Sequence, residues 1–241
     1  MLNDDKARTR GNPSYVWRFG QDRRLDLINQ YAPLKGKRIL DVGCGLGTYV
    51  RKMRFFSPDV YGVDIDAERV AKATQDLPNI QVSPAETLPF GDGYFDVILS
   101  HEVIEHVDDD AQAVREAYRC LKPGGRLVVF CPNRLYAFET HGISIGKRYI
   151  FGNIPLVNWL PTPVRNRLAP HVRAYTSGGL RRLFAGLPGR FVVFTQVYPG
   201  YDNISARRPR LGRALRGVTY TLEKTPLRAF GLSHLAVFEK Q

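Results

Sequence analysis

The densest local chemistry in the chain is the run Asp41-Val42-Gly43-Cys44-Gly45-Leu46-Gly47. Glycines at a strand-to-helix turn let the main chain come within van der Waals reach of a ligand. The helix that follows offers unpaired N–H groups to a carboxylate or phosphate. The spacing is G-x-G-x-G, unlike the G-x-G-x-x-G of dinucleotide sites or the G-x-x-x-x-G-K-[ST] of phosphate loops. Asp64 closes the next apolar run, where a carboxylate can accept both hydroxyls of a ribose; a helix cap is the structural alternative. Ile65 is expected to pack on a purine face, and the main chain at Ala85-Glu86 to read its edge. Arg18 or Arg23, beside the aromatic-basic run Tyr15-Val16-Trp17-Arg18, is expected to meet a ligand carboxylate; the alternative is a covering helix with solvated arginines.

Two further groupings could handle protons or a cation. Glu102, Glu105 and His106 stand at i, i+3 and i+4, one face of a helix, and could converge on a metal. In Phe138-Glu139-Thr140-His141-Gly142, the imidazole is the side chain best suited to take a proton near neutral pH. His141 is expected to deprotonate a hydroxyl acceptor, with Glu139 orienting the ring. His101 is the competing base, and a structural histidine fixing a turn is the alternative to both. His171, Arg173 and Tyr175 are expected beside the same pocket. Tyr149, Phe151, Trp159, Tyr198 and Tyr201 are expected to pack lids. Cys131 ends an apolar run without an activating partner and is not expected to be a nucleophile.

These residues need a scaffold. Apolar spacing predicts a helix over 16–31, a strand over 37–42, a helix over 46–53, a strand over 59–64, a helix over 67–75 and a strand over 79–82. A strand over 94–100, a helix over 109–121, a turn at Pro123-Gly124-Gly125 and a strand over 126–131 follow. Strands alternating with helices mean an α/β fold with a parallel sheet, and ligands of such sheets sit at the strands' carboxyl ends. After Cys131 the rhythm breaks. Residues 132–175 show no clear period; a helix over 177–187 and strands over 190–197 and 233–239 remain, with an Arg-rich insert between the last two. The expectation is one domain over 1–241, with an N-terminal helical cover (1–36) and two lid insertions (132–175 and 200–231).

Charge divides the same way. Residues 1–131 carry 18 Lys+Arg against 19 Asp+Glu, a net of −1, and residues 132–241 carry 17 against 4, a net of +13. A one-sided excess suits an acidic partner: an anionic small molecule, an anionic membrane surface or nucleic acid. No stretch approaches the roughly 18 apolar residues of a membrane span. MLNDDKARTR lacks the apolar core of a signal peptide, and three cysteines cannot all pair. A cytoplasmic protein is expected.

Residues 39–50 (ILDVGCGLGTYV), 62–66 (GVDID), 85–107 (AETLPFGDGYFDVILSHEVIEHV) and 121–133 (LKPGGRLVVFCPN) resemble the successive motifs of class I S-adenosylmethionine-dependent methyltransferases, in order and spacing, across residues 37–133. The resemblance implies a Rossmann-like seven-stranded sheet, mostly parallel with its last strand antiparallel, and S-adenosylmethionine as cofactor. It implies that Gly43, Gly45 and Gly47, with Cys44 among them, line the methionine part, that Asp41 supports it, and that Asp64 holds the ribose. Ala85 and Glu86 would flank the adenine, and Ser100, His101 and Glu102 would lie near the transferable methyl. One departure is Pro84, where family members often carry an Asp that accepts from the adenine amino group. The Glu102-x-x-Glu105-His106 run is similar to one in quinone-biosynthesis O-methyltransferases, where a divalent cation is plausible. The same tripeptide occurs in methyltransferases that need none, and no metal is assigned.

The resulting expectation is methyl transfer to a small-molecule or lipid-like acceptor, anionic or amphipathic, of the kind handled by the ubiquinone and menaquinone group. The competing classes are a nucleic-acid methyltransferase and a cofactor-binding regulatory protein without turnover. Against nucleic acid, the fourth strand tip reads Ser100-His101-Glu102-Val103 and not Asn/Asp-Pro-Pro-aromatic, and no separate RNA-binding module is visible.

Overall fold

The computed structural model describes residues 17–146 and 148–241; Tyr15 and Val16 lie outside them. In chain order the first elements are α1 (Phe19–Tyr31), β1 (Ile39–Val42), α2 (Thr48–Met53), β2 (Val60–Asp64), α3 (Ala67–Ala73), β3 (Ile80–Val82), β4 (Phe95–His101), α4 (Asp110–Cys120) and β5 (Leu121–Pro132). The first insert folds into two small hairpin pairings, β6 (Phe138–Glu139) with β9 (Ile154–Pro155) and β7 (Ile143–Ile145) with β8 (Arg148–Ile150), then α5 (Thr162–Leu168). α6 (Ser177–Arg182) and β10 (Gly189–Val197) follow. The second insert holds α7 (Asp202–Arg207), α8 (Pro209–Leu222) and a 3-10 turn at Pro226–Phe230, before β11 (Ser233–Lys240).

Seven strands form one sheet in the order β10-β11-β5-β4-β1-β2-β3. β1 pairs parallel with β2 and β4, and β4 with β5, whereas β11 runs antiparallel to both β5 and β10. The last strand is therefore wedged inside the sheet and reversed, as the family resemblance implied, and β10 runs parallel to β5.

Period-2 alternation splits the strand residues between two apolar layers. Ile39, Val97, Leu99, Val128 and Phe130 face one layer with Ile28 of α1, Val50 of α2 and Val70 of α3. Leu40, Ile98, Leu127, Val129 and Cys131 face the other with Val114 of α4 and Leu180 of α6. Each fully buried side chain of this size stabilises the fold by roughly 1.5–3 kcal/mol, so both faces of the sheet are held by helices. α3 starts where Asp66 accepts from Glu68 N and Arg69 N, and α4 where Asp109 accepts from Gln112 N, which explains both boundaries.

Two expectations change. The turn at Pro123-Gly124-Gly125 does not separate helix from strand. β5 already begins at Leu121, and the pairing to β4 shifts register between Phe95 and Val97 to absorb the irregularity. The helix expected over 177–187 stops at Arg182, with single turns beyond it. Among the described residues no helix is long and apolar enough to cross a membrane.

Candidate functional site

A cleft of about 880 Å³ opens over the carboxyl ends of β1, β2, β4 and β5, within the roughly 300–1,000 Å³ typical of small-molecule sites. One wall is the loop from β1 to α2. Gly43, Gly45 and Gly47 have φ of +70°, +55° and +75°, the left-handed region that costs other residues most. A Cβ on Gly43 would come within 2.4 Å of Val103 Cγ2, so only glycine lets this loop close against the loop after β4. Gly43, Cys44 and Gly45 line the cleft. Gly47 does not: its missing Cβ would point at Leu77, 2.3 Å away, and its φ starts α2. Its role is packing and turn formation, a correction to the sequence reading.

Asp64 ends β2 on the cleft floor. Its Oδ2 accepts from Gly45 N and its Oδ1 from Asp66 N, both at 2.8 Å. One carboxylate thus ties the glycine loop to the second strand and faces the cleft. Asp41 also lines the cleft while buried; desolvation, and then the charge of Asp64, hold its carboxyl well above the usual range. Ile65 is exposed beside Asp64, and Ala85 and Glu86 line the far end with Ser83 and Pro84. Glu86 accepts from Asp108 N at 2.9 Å, which brings Asp108 and Asp109 to the same end, opposite Pro84.

Acid on this floor would repel a free phosphate, whereas it can accept from ribose hydroxyls and attracts a cationic nucleoside. The donor set, with glycine main chain on one side and an acidic strand end beneath, fits S-adenosylmethionine.

The other end of the cleft is built on residues 101–106. Glu102 has φ of +56°, a conformation that persists only where surroundings fix it. Arg24 of α1 fixes it: one guanidinium nitrogen reaches Glu102 Oε1 at 2.9 Å and His101 Nε2 at 2.5 Å, and the other donates to Ser233 Oγ at 2.8 Å. Ser233 in turn donates to Glu102. Burial alone would raise the Glu102 carboxyl; Arg24, with His101 and His141, brings it down to about 2. Burial and then Arg24 push His101 down to about 3, so its ring is neutral and a very weak base. The ring also lies 4.8 Å from that of Tyr49.

Neither Arg18 nor Arg23, the arginines expected at a ligand carboxylate, lines the cleft. Arg18 is exposed and donates to Asn203 at 2.7 Å, outside the cleft, and Arg23 is paired with Glu223 and stacked on Tyr220. Both are claimed by the second insert, which leaves Arg24, with Gln21, to line the site. Ser100 lies one residue short of the strand tip. It is buried in register between Val42 and Val129 and does not reach the cleft.

The first insert brings His141 to this end. Its main-chain N and its Nδ1 both approach Glu139 Oε1, at 3.0 and 3.1 Å. Glu139 is 1% exposed, and its other oxygen accepts from Arg165 Nη2 at 2.6 Å. Burial would raise this carboxyl; the His141 hydrogen bonds and Arg165 hold it down, at about 2. An ionised carboxylate only accepts, so the Nδ1 of His141 carries a hydrogen, and in the neutral ring it is Nε2 that holds the lone pair. Arg165, 2% exposed, was not singled out in the sequence. A lone Arg in an Arg-rich insert gives no signal, and burial alone distinguishes it.

Glu105, His106 and His141 each bring one donor atom within 4.8 Å of the others, a spacing that a divalent cation could bridge. Glu102, which the sequence grouped with the first two, is held by Arg24 and Ser233 instead. Glu105 is fully buried, and desolvation with the charge of Glu102 raises its carboxyl well above the usual range; burial first, then His141, lowers His106 to about 4.

His171, Arg173 and Tyr175 do not line the cleft. They bolt the insert down: His171 contacts the His141 carbonyl, Arg173 donates to the carbonyls of Val107 and Asp108, and Tyr175 donates to the Ile104 carbonyl and to Asp110. Phe151 does line the cleft, although it is exposed. Cys131 is fully buried and its thiol is raised by burial, which agrees with its exclusion as a nucleophile.

Comparison with known proteins agrees with this geometry. Residues 40–129 match the family model described as a methyltransferase domain. The chain is 33% identical over 138 residues to the ubiquinone biosynthesis O-methyltransferase of Coxiella burnetii, covering 55% of this chain and 58% of that one. It is 36% identical over 141 residues to the protein of the same name from Ralstonia nicotianae, again 55% and 58%. The chain thus spans somewhat over half the length of these relatives. Among solved structures it resembles an S-adenosylmethionine-dependent methyltransferase from Mesorhizobium loti, with a TM-score of 0.62 at 20% identity over 89% of this chain and 96% of that one. It also resembles the [4+2]-cyclase SpnF, with a TM-score of 0.58 at 22% identity over 95% and 85%. A cyclase on this fold means that the fold by itself does not fix the reaction. What the comparisons establish is that residues 40–129 match a methyltransferase domain and that the chain has the fold of S-adenosylmethionine-dependent methyltransferase structures.

Proposed function

We propose that the protein transfers a methyl group to a hydroxyl of a small-molecule or lipid-like acceptor that is anionic or amphipathic. When bound, S-adenosylmethionine supplies an activated methyl on sulfur. The chain's own work is to hold donor and acceptor in line and to take the acceptor's proton; positioning of this kind is worth on the order of 7–11 kcal/mol in the best intramolecular cases. Asp64 and the main chain of Gly43–Gly45 hold the nucleoside and methionine parts. Arg24 faces the cofactor carboxylate from α1, and Glu102 is held rigid beside the reacting end.

One observation carries the reading: the buried Arg165–Glu139 pair presents His141, with its Nε2 lone pair available, to the cleft. His141 is the base in this proposal. His101, at about 3, is too weak a base and positions Tyr49 and Arg24. The name of the quinone-pathway relatives supports oxygen as the methylated atom, and Phe151 at the cleft margin supports an apolar portion on the acceptor.

The test uses labelled methyl donor with hydroxylated aromatic and polyprenylated acceptors, extracted into organic solvent. His141→Ala is expected to lower kcat at least tenfold while leaving cofactor Kd unchanged. Equal kcat excludes His141 as base. Cofactor binding without transfer to any acceptor favours a regulatory protein.

A further inference from the structure

The second insert turns an unusual face outward. From Asn203 to Leu222 there are five arginines and no acid. On α8, Gly212 and Thr219 face inward, Gly212 against Ser205 of α7. Leu211, Ala214 and Val218 face outward, with Leu211 44% and Val218 60% exposed. Their spacing of i, i+3 and i+7 makes one apolar stripe. Exposed Arg210 and Arg213 stand on the same helix, and exposed Arg207 ends α7 just before it. Arg216 differs: it folds inward over Phe19 and donates to the Gly200 carbonyl. A helix with an exposed aliphatic stripe, exposed arginines and no acid has the composition of one that lies in a membrane interface.

We infer that this face of α8 docks the protein on an anionic lipid surface. Charge complementarity chooses the occupant. A nucleic-acid backbone would use the arginines but has no use for exposed leucine and valine. A second copy of this chain meeting the same face about a two-fold axis would set arginines against arginines. Anionic headgroups above acyl chains satisfy both halves of the pattern, at about 1 kcal/mol per basic residue near the surface.

The docking face is coupled to the cleft. Gly20 N donates to Asp202 at 3.1 Å, Arg23 pairs with Glu223, and Arg23 lies 3.8 Å over the Tyr220 ring. α7 and α8 are thereby clamped to α1, whose Gln21 and Arg24 line the cleft. Resting on the proposed function, the surface would hold the cleft where amphipathic acceptors are dissolved.

The experiment is sedimentation of the full chain with vesicles of phosphatidylcholine alone or with one quarter phosphatidylglycerol. Binding is expected only to the anionic vesicles and weaker as salt rises. Leu211→Ser with Val218→Ser, and separately Arg207→Gln with Arg210→Gln and Arg213→Gln, are each expected to lower the partition at least about tenfold. Unchanged near-ultraviolet circular dichroism shows that the exposed substitutions left the fold intact. Equal binding to neutral vesicles, no binding to either, or no effect of the substitutions overturns the inference. So does RNA binding at the same salt that needs the arginines but not Leu211 and Val218, or a dimer that the serine variants dissociate. Vesicle binding has no catalytic readout. If it fails, methyl transfer stands, and failed transfer in a protein that still binds vesicles discards the proposed transfer and leaves the docking surface.

Discussion

Asp64 does two jobs with one carboxylate. It holds the glycine loop through Gly45 N and α3's approach through Asp66 N, and it lines the cleft where the proposed ribose site lies. Asp64→Asn loses the charge and turns one of the two oxygens into a donor that faces the N–H group it accepted from. Cofactor affinity measured by calorimetry is expected to fall by about 1.5–3 kcal/mol, the range for a charge-assisted hydrogen bond; an unchanged Kd removes Asp64 from the ribose. Asp41, its neighbour, behaves oppositely. Its folded-state carboxyl is raised by burial and by Asp64. The stability it contributes is therefore fully present below the unfolded value near 3.8 and is lost as pH rises through the folded value. Asp41→Asn stays neutral at every pH. The variant's Tm relative to the native protein is expected to climb from pH 4 towards pH 8, and a pH-independent difference shows that Asp41 is ionised in the fold.

At the scale of elements, the first insert depends on an ion pair between residues 26 apart in the chain that carries no local signal. Arg165 of α5 and Glu139 of β6 are each about 2% exposed at the side chain. Removing one partner strands a buried charge, typically at 3–5 kcal/mol, whereas replacing both can be close to neutral. Arg165→Met is expected to destabilise by that amount in urea unfolding and to raise KM and lower kcat together as His141 loses its support. The double variant Arg165→Met with Glu139→Leu is expected to recover most of the stability but not the activity. If the single change is harmless, the pair does not hold the insert. The legibility of the chain divides here. Strands such as Ile39–Val42 and Phe95–His101 were readable because local apolar runs are enough to specify buried parallel strands. The small hairpins of 132–175 were not, since β6 and β9 are two residues each and are held by contacts distant in sequence. Asp64 was readable by its place after a strand. Arg24 was not, because Arg18, Arg23 and Arg24 look alike until the second insert is seen to occupy the first two.

Across the whole molecule, the site is completed by the end of the chain. β11 lies between β5 and β10 and is hydrogen-bonded on both sides. Leu235, Ala236 and Val237 are wholly buried, in both apolar layers. The strand's first residue, Ser233, links Arg24 of the first helix to Glu102 at the tip of β4. The sheet is therefore unfinished until the last nine residues pair, and pairings of such long range are slow to form. Ending the chain at Leu232 would expose the edges of β5 and β10 and leave both apolar layers open. Such a fragment is expected to keep helical far-ultraviolet signal, lose near-ultraviolet signal, bind a hydrophobic dye and aggregate. Ser233→Ala separates the two roles of the strand. It should fold with a loss of no more than about 1–3 kcal/mol for the unmade hydrogen bonds, yet loosen Arg24 and Glu102 enough to lower kcat/KM. A truncated chain that unfolds cooperatively would mean that β1 to β5 with their helices form a complete folding unit and that β11 is an addition to it.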